Sequence, residues 1–442
     1  MTDAGRLRPR PSSTGVPIRH GRLARRGPFA AVAVSLLVTL GVLVVSGGAL
    51  TAVAAWDITT SVKPGVHLNH MASGSGQTDA PDLSAITGGV NLLLTGTDTR
   101  TGQGAAYSSK ADLAGSSGTG NNDVTMLLHI SQDHRSVSVV SFPRDLMLAI
   151  PACPLPDGGT AGASSRMILN STLARGGLSC VVLSIEQLTG LQIPYAAEIS
   201  FEGVTAMSDA VGGVTVCVAT PINDLYTNPP LHLESGQHTI IGDEALSFLR
   251  SRHGVGDGSD LGRISNQQVF MAALARKVEN GGVLGNPLTL FSLAKAATTN
   301  MVLSDTLTNP STLVQIALAL KDTGLANMVF LQYPTVADPK DPNRVVPQKA
   351  GAEILNAALV GDQPLQLSGL PGRGAVAPTP SAEPTAAPDS GGTPTASSGP
   401  TTGATPTASA PPSATPVPAN EAVLPPIITG QTAAEQTCSK GS

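Results

Sequence analysis

Two acids and a set of arginines stand at the ends of apolar runs. Asp98 follows one run in NLLLTGTDTR, with Arg100 two residues on, and Asp123 precedes another in NNDVTMLLHI. Arg144 follows a third in SVSVVSFPRD, and Arg250, Arg252 and Arg263 crowd into FLRSRHGVGDGSDLGRISNQQ. Two carboxylates suit a hard cation such as Mg2+, which takes carboxylate and phosphate oxygens together. Planar guanidinium forks suit phosphate and pyrophosphate. The set therefore predicts a site for a metal-complexed polyphosphate. Surface ion pairing would explain any single member. It explains the set less well, because only 13% of the chain is charged and these residues gather beside Gly-rich turns. Arg250 and Arg252 are two apart and do not share a helix face, so one grips phosphate while the other braces its loop. Asp257 or Asp260 orients Arg263, and Gln267, one helical turn beyond, points an amide into the same cleft. His129 falls on a strand and is read as packed, and His253 as support for its neighbours. The chain has no Walker A, HExxH or G-x-S-x-G motif.

The elements that must hold these residues alternate between strands and helices. GVNLLLTGTD is a buried strand, and DVTMLLHIS and SVSVVSFP form a hairpin through the polar tetrad QDHR. SCVVLSIEQLTG has helical spacing and a stop at Gly190. PYAAEISFEGVTAMSDAVGG reads as strand then helix, VTVCVA as a strand, and GDEALSFLRSRH and SNQQVFMAALARKVEN as helices. NMVFLQYPT is a late strand. The fold class is α/β, an α-β-α arrangement with a central mixed sheet flanked by helices. In such folds ligands bind beyond strand ends, where the acids and arginines stand.

The rest of the chain divides by composition. Residues 1–27 hold Arg6, Arg8, Arg10, Arg19, Arg22, Arg25 and Arg26 against one acid, Asp3, so the remainder is strongly acidic. That excludes a nucleic-acid-coating protein. Residues 28–56 carry no charge and are long enough for a membrane helix. A cleaved signal peptide ending near TAVAA is the alternative, but the run exceeds a signal h-region. The basic side lies in the cytoplasm, which makes this a single-pass cell-membrane protein with its main domain outside. Residues 57–87 read as a stalk, 88–365 as the catalytic domain, 372–420 as a disordered Pro/Thr/Ala/Ser spacer and 421–442 as a terminal segment able to dock back. Four cysteines fit an oxidising exterior and permit three pairings. Cys153 with Cys180, flanking one loop, is preferred, leaving Cys217 for Cys438.

These segments, in this order, resemble the LytR-CpsA-Psr family of cell-wall glycopolymer ligases. The likeness covers 88–365, and Arg-x-Arg followed by Gly-Asp-Gly-Ser-Asp-Leu-Gly-Arg is its most specific part. The composition looks actinobacterial. The resemblance implies a phosphotransferase that moves a glycopolymer, with its phosphate, from a polyprenyl-pyrophosphate membrane lipid onto peptidoglycan. It implies Mg2+ on Asp98 and Asp123, with Asp98 as the acid near the acceptor that takes its proton. Arg144, Arg250, Arg252, Arg263 and Gln267 match the pyrophosphate-contacting positions, and Arg100 joins the expected set. The catalytic group is Asp98, Asp123, Arg144 and Arg263. The resemblance also implies a greasy lipid pocket, for which LSIEQLTGLQI and VFMAALA offer apolar faces. The chain departs from the family where Asn121-Asn122-Asp123 replaces the usual Arg-Ser-Asp, where Ile168-Leu169-Asn170 replaces Lys-Ile-Asn, and at Asn266, usually Arg. Arg166 or Arg175 is the expected substitute for the missing Lys. A lipid-pyrophosphate hydrolase and a non-catalytic wall-polymer-binding protein are the competing readings.

Overall fold

The computed structural model describes residues 64–71, 89–101, 116, 118–155, 157–280, 287–377 and 421–442, all within the unit Ile58–Ser442. The expected membrane span at 28–56 and residues 378–420 of the expected spacer at 372–420 lie outside the described residues. Within 372–377, Ala375–Val376 is a short strand paired with Ser439 and Cys438, not disordered spacer. Among the described residues no helix is long and apolar enough to cross a membrane.

The main elements, in chain order, are strands β1 (Val90–Thr97), β2 (Asn122–Ile130) and β3 (Val137–Phe142), helix α1 (Thr172–Thr189), strand β4 (Tyr195–Ile199), helix α2 (Phe201–Ala210) and strand β5 (Val214–Thr220). Helices α3 (Gly242–Arg250), α4 (Asp260–Asn280) and α5 (Pro287–Asn300) follow, then β6 (Met301–Leu303), α6 (Pro310–Thr323), β7 (Met328–Gln332), α7 (Lys349–Val360), β8 (Gly430–Thr432) and β9 (Cys438–Lys440). Seven strands form the central sheet in the order β6-β4-β1-β2-β3-β7-β8. β4 runs parallel to β1 and β7 parallel to β3, while β2 is antiparallel to both of its neighbours. This is the mixed sheet the alternating pattern predicts. β3 is buried at every position, as a strand covered on both faces must be.

Side-chain alternation sends each strand's residues to two different cores. Leu93, Leu127, Val140 and Phe142 face α1 and α7, against Val181, Ile185 and Leu355. Met126, Val139, Tyr195 and Phe330 face α4 and α6, against Ala272 and Ile316. The other side of α4 packs a second, smaller sheet, where Val214, Val216 and Ile240 meet Phe248 and Phe270. α4 is thus walled by sheet on both sides. α1 ends where the sequence indicates, at Gly190, whose φ of 77° makes a left-handed cap that costs a Cβ-bearing residue more.

Both ends of the described chain pack onto this frame. Pro64–Met71 runs over the α1 face: the Val66 N–H donates to Leu303 O, Leu68 is buried, and Glu186 accepts from Met71 N and Ile193 N. Residues 421–442 supply β8 to the central sheet and β9 to the smaller one. Cys153 is bonded to Cys180, and Cys217 on β5 to Cys438 on β9.

Candidate functional site

A cavity of about 520 Å3 opens between the sheet and helices α2 and α4. Its walls are apolar over most of their extent, with Leu94, Met126, Met207, Phe270, Met271 and Leu274 among them. Leu94, Met126, Met271 and Leu274 also line a second cavity of about 250 Å3, almost wholly apolar, so the two share a wall. Asp123, Arg144, Arg250, Arg252, Arg263 and Gln267 all line the first cavity. Six residues scattered over the sequence therefore meet because β2, the β3 exit, the α3 exit and the first turns of α4 converge.

Asp123 is the centre of the charge. Its Oδ1 accepts a 2.8 Å hydrogen bond from Arg144 Nη1, and Arg263 Nη2 donates to its main-chain oxygen at 2.7 Å. Burial alone would push the Asp123 carboxyl up. Arg263 and Arg144 beside it, with hydrogen bonds from Arg144 and Asn170, hold it below the ordinary value. Of the two acids in the Gly-rich turn, Asp260 orients Arg263, at 2.6 Å, one turn back on the same helix. Asp260 also accepts from the Arg144 N–H. Asp257 pairs instead with Arg373. The Arg250 guanidinium lies 4.1 Å from the centre of the Phe201 ring, a cation–π contact that stiffens it.

The Nε atoms of Arg144, Arg252 and Arg263 are buried and meet no hydrogen-bond acceptor. Buried charged donors without acceptors are costly. All three arginines line one cavity, where an anion with several oxygens would meet their guanidinium groups.

Gln267 points its amide at Leu249 O, 3.0 Å away, bracing α3 against α4 at the cavity edge. Neighbouring Asn266 is fully buried between Phe248 O and Ser439 Oγ. Its place in the site is therefore structural, and an arginine there would have to leave this pocket. Asp98 and Arg100 are not among the cavity-lining residues. The Asp98 Oδ1 accepts from Ser116 Oγ at 2.8 Å and Asn121 N at 2.6 Å, and the Arg100 N–H donates to Ser116 O. Gly120 permits this close approach: at its φ of +69° a Cβ would stand 2.8 Å from Asp98 Oδ1. Neither substitute for the missing Lys reaches the cavity. Arg166 pairs with Asp338, and Arg175 donates to Gly162 O. Of the two apolar stretches, VFMAALA lines the cavity but LSIEQLTGLQI does not. Ile185, Leu191 and Ile193 pack into the opposite core, because α1 covers the other face of the sheet. His129 is buried between Asn91 and Asp362, and its burial holds its pKa down.

Among the described residues no three His, Cys, Asp or Glu side chains converge as a metal cage. Two carboxylates nonetheless keep one oxygen each without a short bond. Asp98 Oδ2 has only a 3.4 Å contact with Asn121, and Asp123 Oδ2 lies 3.9 Å from Arg263. Carboxylate oxygens of this kind suit Mg2+ completed by substrate phosphate oxygens, with Asp123 on the cavity wall and Asp98 outside its lining.

Sequence reasoning missed Asp224. It is 1% exposed, it lines the cavity, and it gathers the loop after α3. Its Oδ2 accepts from Ser251 Oγ, Arg252 N and Gly254 N, and its Oδ1 from Tyr226 N. Arg252 is held in place by this carboxylate.

The profile of the LytR_cpsA_psr family matches residues 58–357. The cell wall biosynthesis protein LcpA of Corynebacterium glutamicum is 27% identical over 319 residues, 68% of this chain, which spans 59% of LcpA's length. The polyisoprenyl-teichoic acid–peptidoglycan teichoic acid transferase TagU of Bacillus cereus is 27% identical over 241 residues, 54% of this chain and 68% of that protein. The crystal structure of protein gbs0355 from Streptococcus agalactiae superposes with a TM-score of 0.50 at 23% identity, covering 63% of this chain and 89% of that one. At that identity the likeness concerns the fold.

Proposed function

The chain belongs to the LytR_cpsA_psr family, and from that premise we propose that it is a membrane-anchored, Mg2+-dependent phosphotransferase of cell-wall assembly. The donor is a glycopolymer on a polyprenyl pyrophosphate, and the acceptor is a peptidoglycan hydroxyl. The observation that carries this reading is a single cavity with two chemistries: Arg144, Arg250, Arg252 and Arg263 gathered beside a long apolar wall. An amphiphile with a multiply charged head and a hydrocarbon tail answers both. The names of the relatives LcpA and TagU point to the same process.

In this reading the acceptor oxygen attacks the phosphorus that bears the glycan. The bond to the bridging pyrophosphate oxygen breaks, polyprenyl phosphate leaves, and the acceptor proton passes to base. Such transfer is mostly positioning and charge neutralisation. Arg144, Arg252 and Arg263 hold the phosphate oxygens, Arg250 adds positive charge, and Asp260 keeps the Arg263 fork aimed. Asp98 and Asp123 would hold Mg2+, which supplies further neutralisation of the phosphates when bound. Because the Asp98 carboxylate is engaged with its own loop, the role of proton acceptor is not assigned to it.

The test is the full chain in detergent with a short lipid-pyrophosphate glycan, Mg2+ and peptidoglycan fragments, beside Asp98→Ala and Arg263→Ala. Metal-dependent transfer lost in both variants supports the proposal. Polyprenyl phosphate released without transfer means hydrolysis, and binding without turnover under any metal means a wall-polymer-binding protein.

A further inference from the structure

The rim of the cavity carries an aromatic pair that the proposed transfer does not use. In a chain with only 4 Tyr and 1 Trp, Tyr226 stands 81% exposed. It is not a stray surface residue. Its ring lies 4.6 Å from that of His253, tilted by 50°, and both line the cavity together with Arg250 and Arg252.

The pair is also held rigidly. Asp224 accepts from Tyr226 N through one carboxylate oxygen, and from Arg252 N and Gly254 N, either side of His253, through the other. Thr227 Oγ1 closes the same loop on Asp224 O and Pro229 O. One buried carboxylate thus fixes the backbone under both rings. A surface ordered before its ligand arrives loses little entropy on binding.

We infer that Tyr226 and His253 form a stacking platform for the first pyranose of the donor, the sugar joined directly to the pyrophosphate. A pyranose has a face of C–H groups that packs on an aromatic face, while its hydroxyls stay at the edge, in water or on polar side chains. That sugar is one bond from the phosphate that the arginines hold, and His253 is adjacent to Arg252 in the chain. The platform therefore stands where the first ring must emerge. Leu225 is also exposed, at 68%, which raises a bilayer as another occupant. Leu225 does not line the cavity, whereas Tyr226 shares it with His253 and two arginines. The sugar fits that placement better.

The platform rests on the donor proposed above, and the test separates the two. The affinity of the full chain in detergent is measured for geranylgeranyl pyrophosphate and for the same lipid pyrophosphate bearing one N-acetylglucosamine. Tyr226→Ala should bind the sugar-bearing lipid about tenfold more weakly and the bare lipid as the wild type does. Tyr226→Trp should restore the loss. Equal loss for both lipids, or loss for neither, overturns the platform. A defect confined to sedimentation with anionic phospholipid vesicles assigns Tyr226 to the bilayer and also overturns it. If the wild type binds neither lipid, the donor reading fails, and saturation-transfer NMR with UDP-N-acetylglucosamine decides the platform alone. Sugar-ring signals that vanish in Tyr226→Ala keep it, and their absence from the wild type removes it.

Discussion

Asp224→Ala should be among the most damaging single substitutions in this chain. The carboxylate is 1% exposed and accepts four hydrogen bonds, three of them from main-chain N–H groups that cannot turn away. Each buried donor left without an acceptor costs about 1–3 kcal/mol. Alanine leaves four, two of them buried, so the loss is about 2–6 kcal/mol. Asparagine keeps the shape. Its amide oxygen can serve Ser251, Arg252 and Gly254, but its NH2 must then face the Tyr226 N–H. One bond is lost, for about 1–3 kcal/mol. Ser251→Ala alone should cost about 1 kcal/mol and add little on top of Asp224→Ala, since its partner has already gone. Guanidinium unfolding followed by circular dichroism reads all four variants. A shift below about 1 kcal/mol for Asp224→Ala, or simple additivity with Ser251→Ala, would refute the assignment of this carboxylate as the anchor of the loop.

The same group gives a signed pH test. Burial pushes the Asp224 carboxyl up, but hydrogen bonds from Ser251, Gly254, Tyr226 and Arg252 hold it below the ordinary value. Its folded pKa is thus below its unfolded one. The stability it contributes is present above the unfolded value and lost as pH falls through the folded one. Asp224→Asn should flatten that part of the acid limb.

Arg263→Ala should lower transfer by about 100- to 1000-fold, the usual effect of removing one preorganised charge-stabilising donor, and Arg263→Lys should recover only part of it. Steady-state assays beside a folding control read both. Removing the Cys217–Cys438 bond, with a sequence separation of 221, should cost about 5 kcal/mol, against about 3.5 kcal/mol for Cys153–Cys180 at 27, in thermal melts with and without reductant. Burial pushes Glu198 up to about 7, so the folded state resists its ionisation and stability falls as pH rises toward that value. Glu198→Gln should therefore raise the melting temperature at pH 8 and leave it nearly unchanged at pH 4.

Five strands of the central sheet, β1–β4 and β7, were readable because each is a short apolar run closed by turn residues, and the β2–β3 hairpin declares itself in its polar tetrad. The arginines of the cavity were readable for a different reason: in a chain so poor in charge, their placement beside glycines stands out. Asp224 was not readable. It sits in TPINDLY, where an acid looks like a solvated turn residue, and its role comes from donors 27 to 30 residues later. Asp257 and Asp260 were equivalent until the first residue of α4 was known, because only an i,i+3 helical relation puts Asp260 on Arg263. Period alone also could not say which face of the sheet a helix covers, which is why LSIEQLTGLQI and VFMAALA read alike. Strands as short as β8 and β9 have too few residues for an alternation to show.

The two faces of the sheet do different work, and the distribution of crosslinks follows from that. The α1 face is filled by Leu, Ile and Val from several elements and is tied by Cys153–Cys180. The α4 face keeps open apolar volume, and walls that enclose empty space forgo contacts with each other. α4 must still hold Arg263 steady with that space on one side. What supports it is the smaller sheet behind it and the C-terminal segment. Ser439 bonds Asn266, and Arg276 bonds Ala433 O and Glu435 O. Cys217–Cys438 then locks the strand bearing Ser439 to β5. Residues 421–442 are thus a brace for the helix that carries the arginine, placed against the wall that the cavity leaves without packing from within.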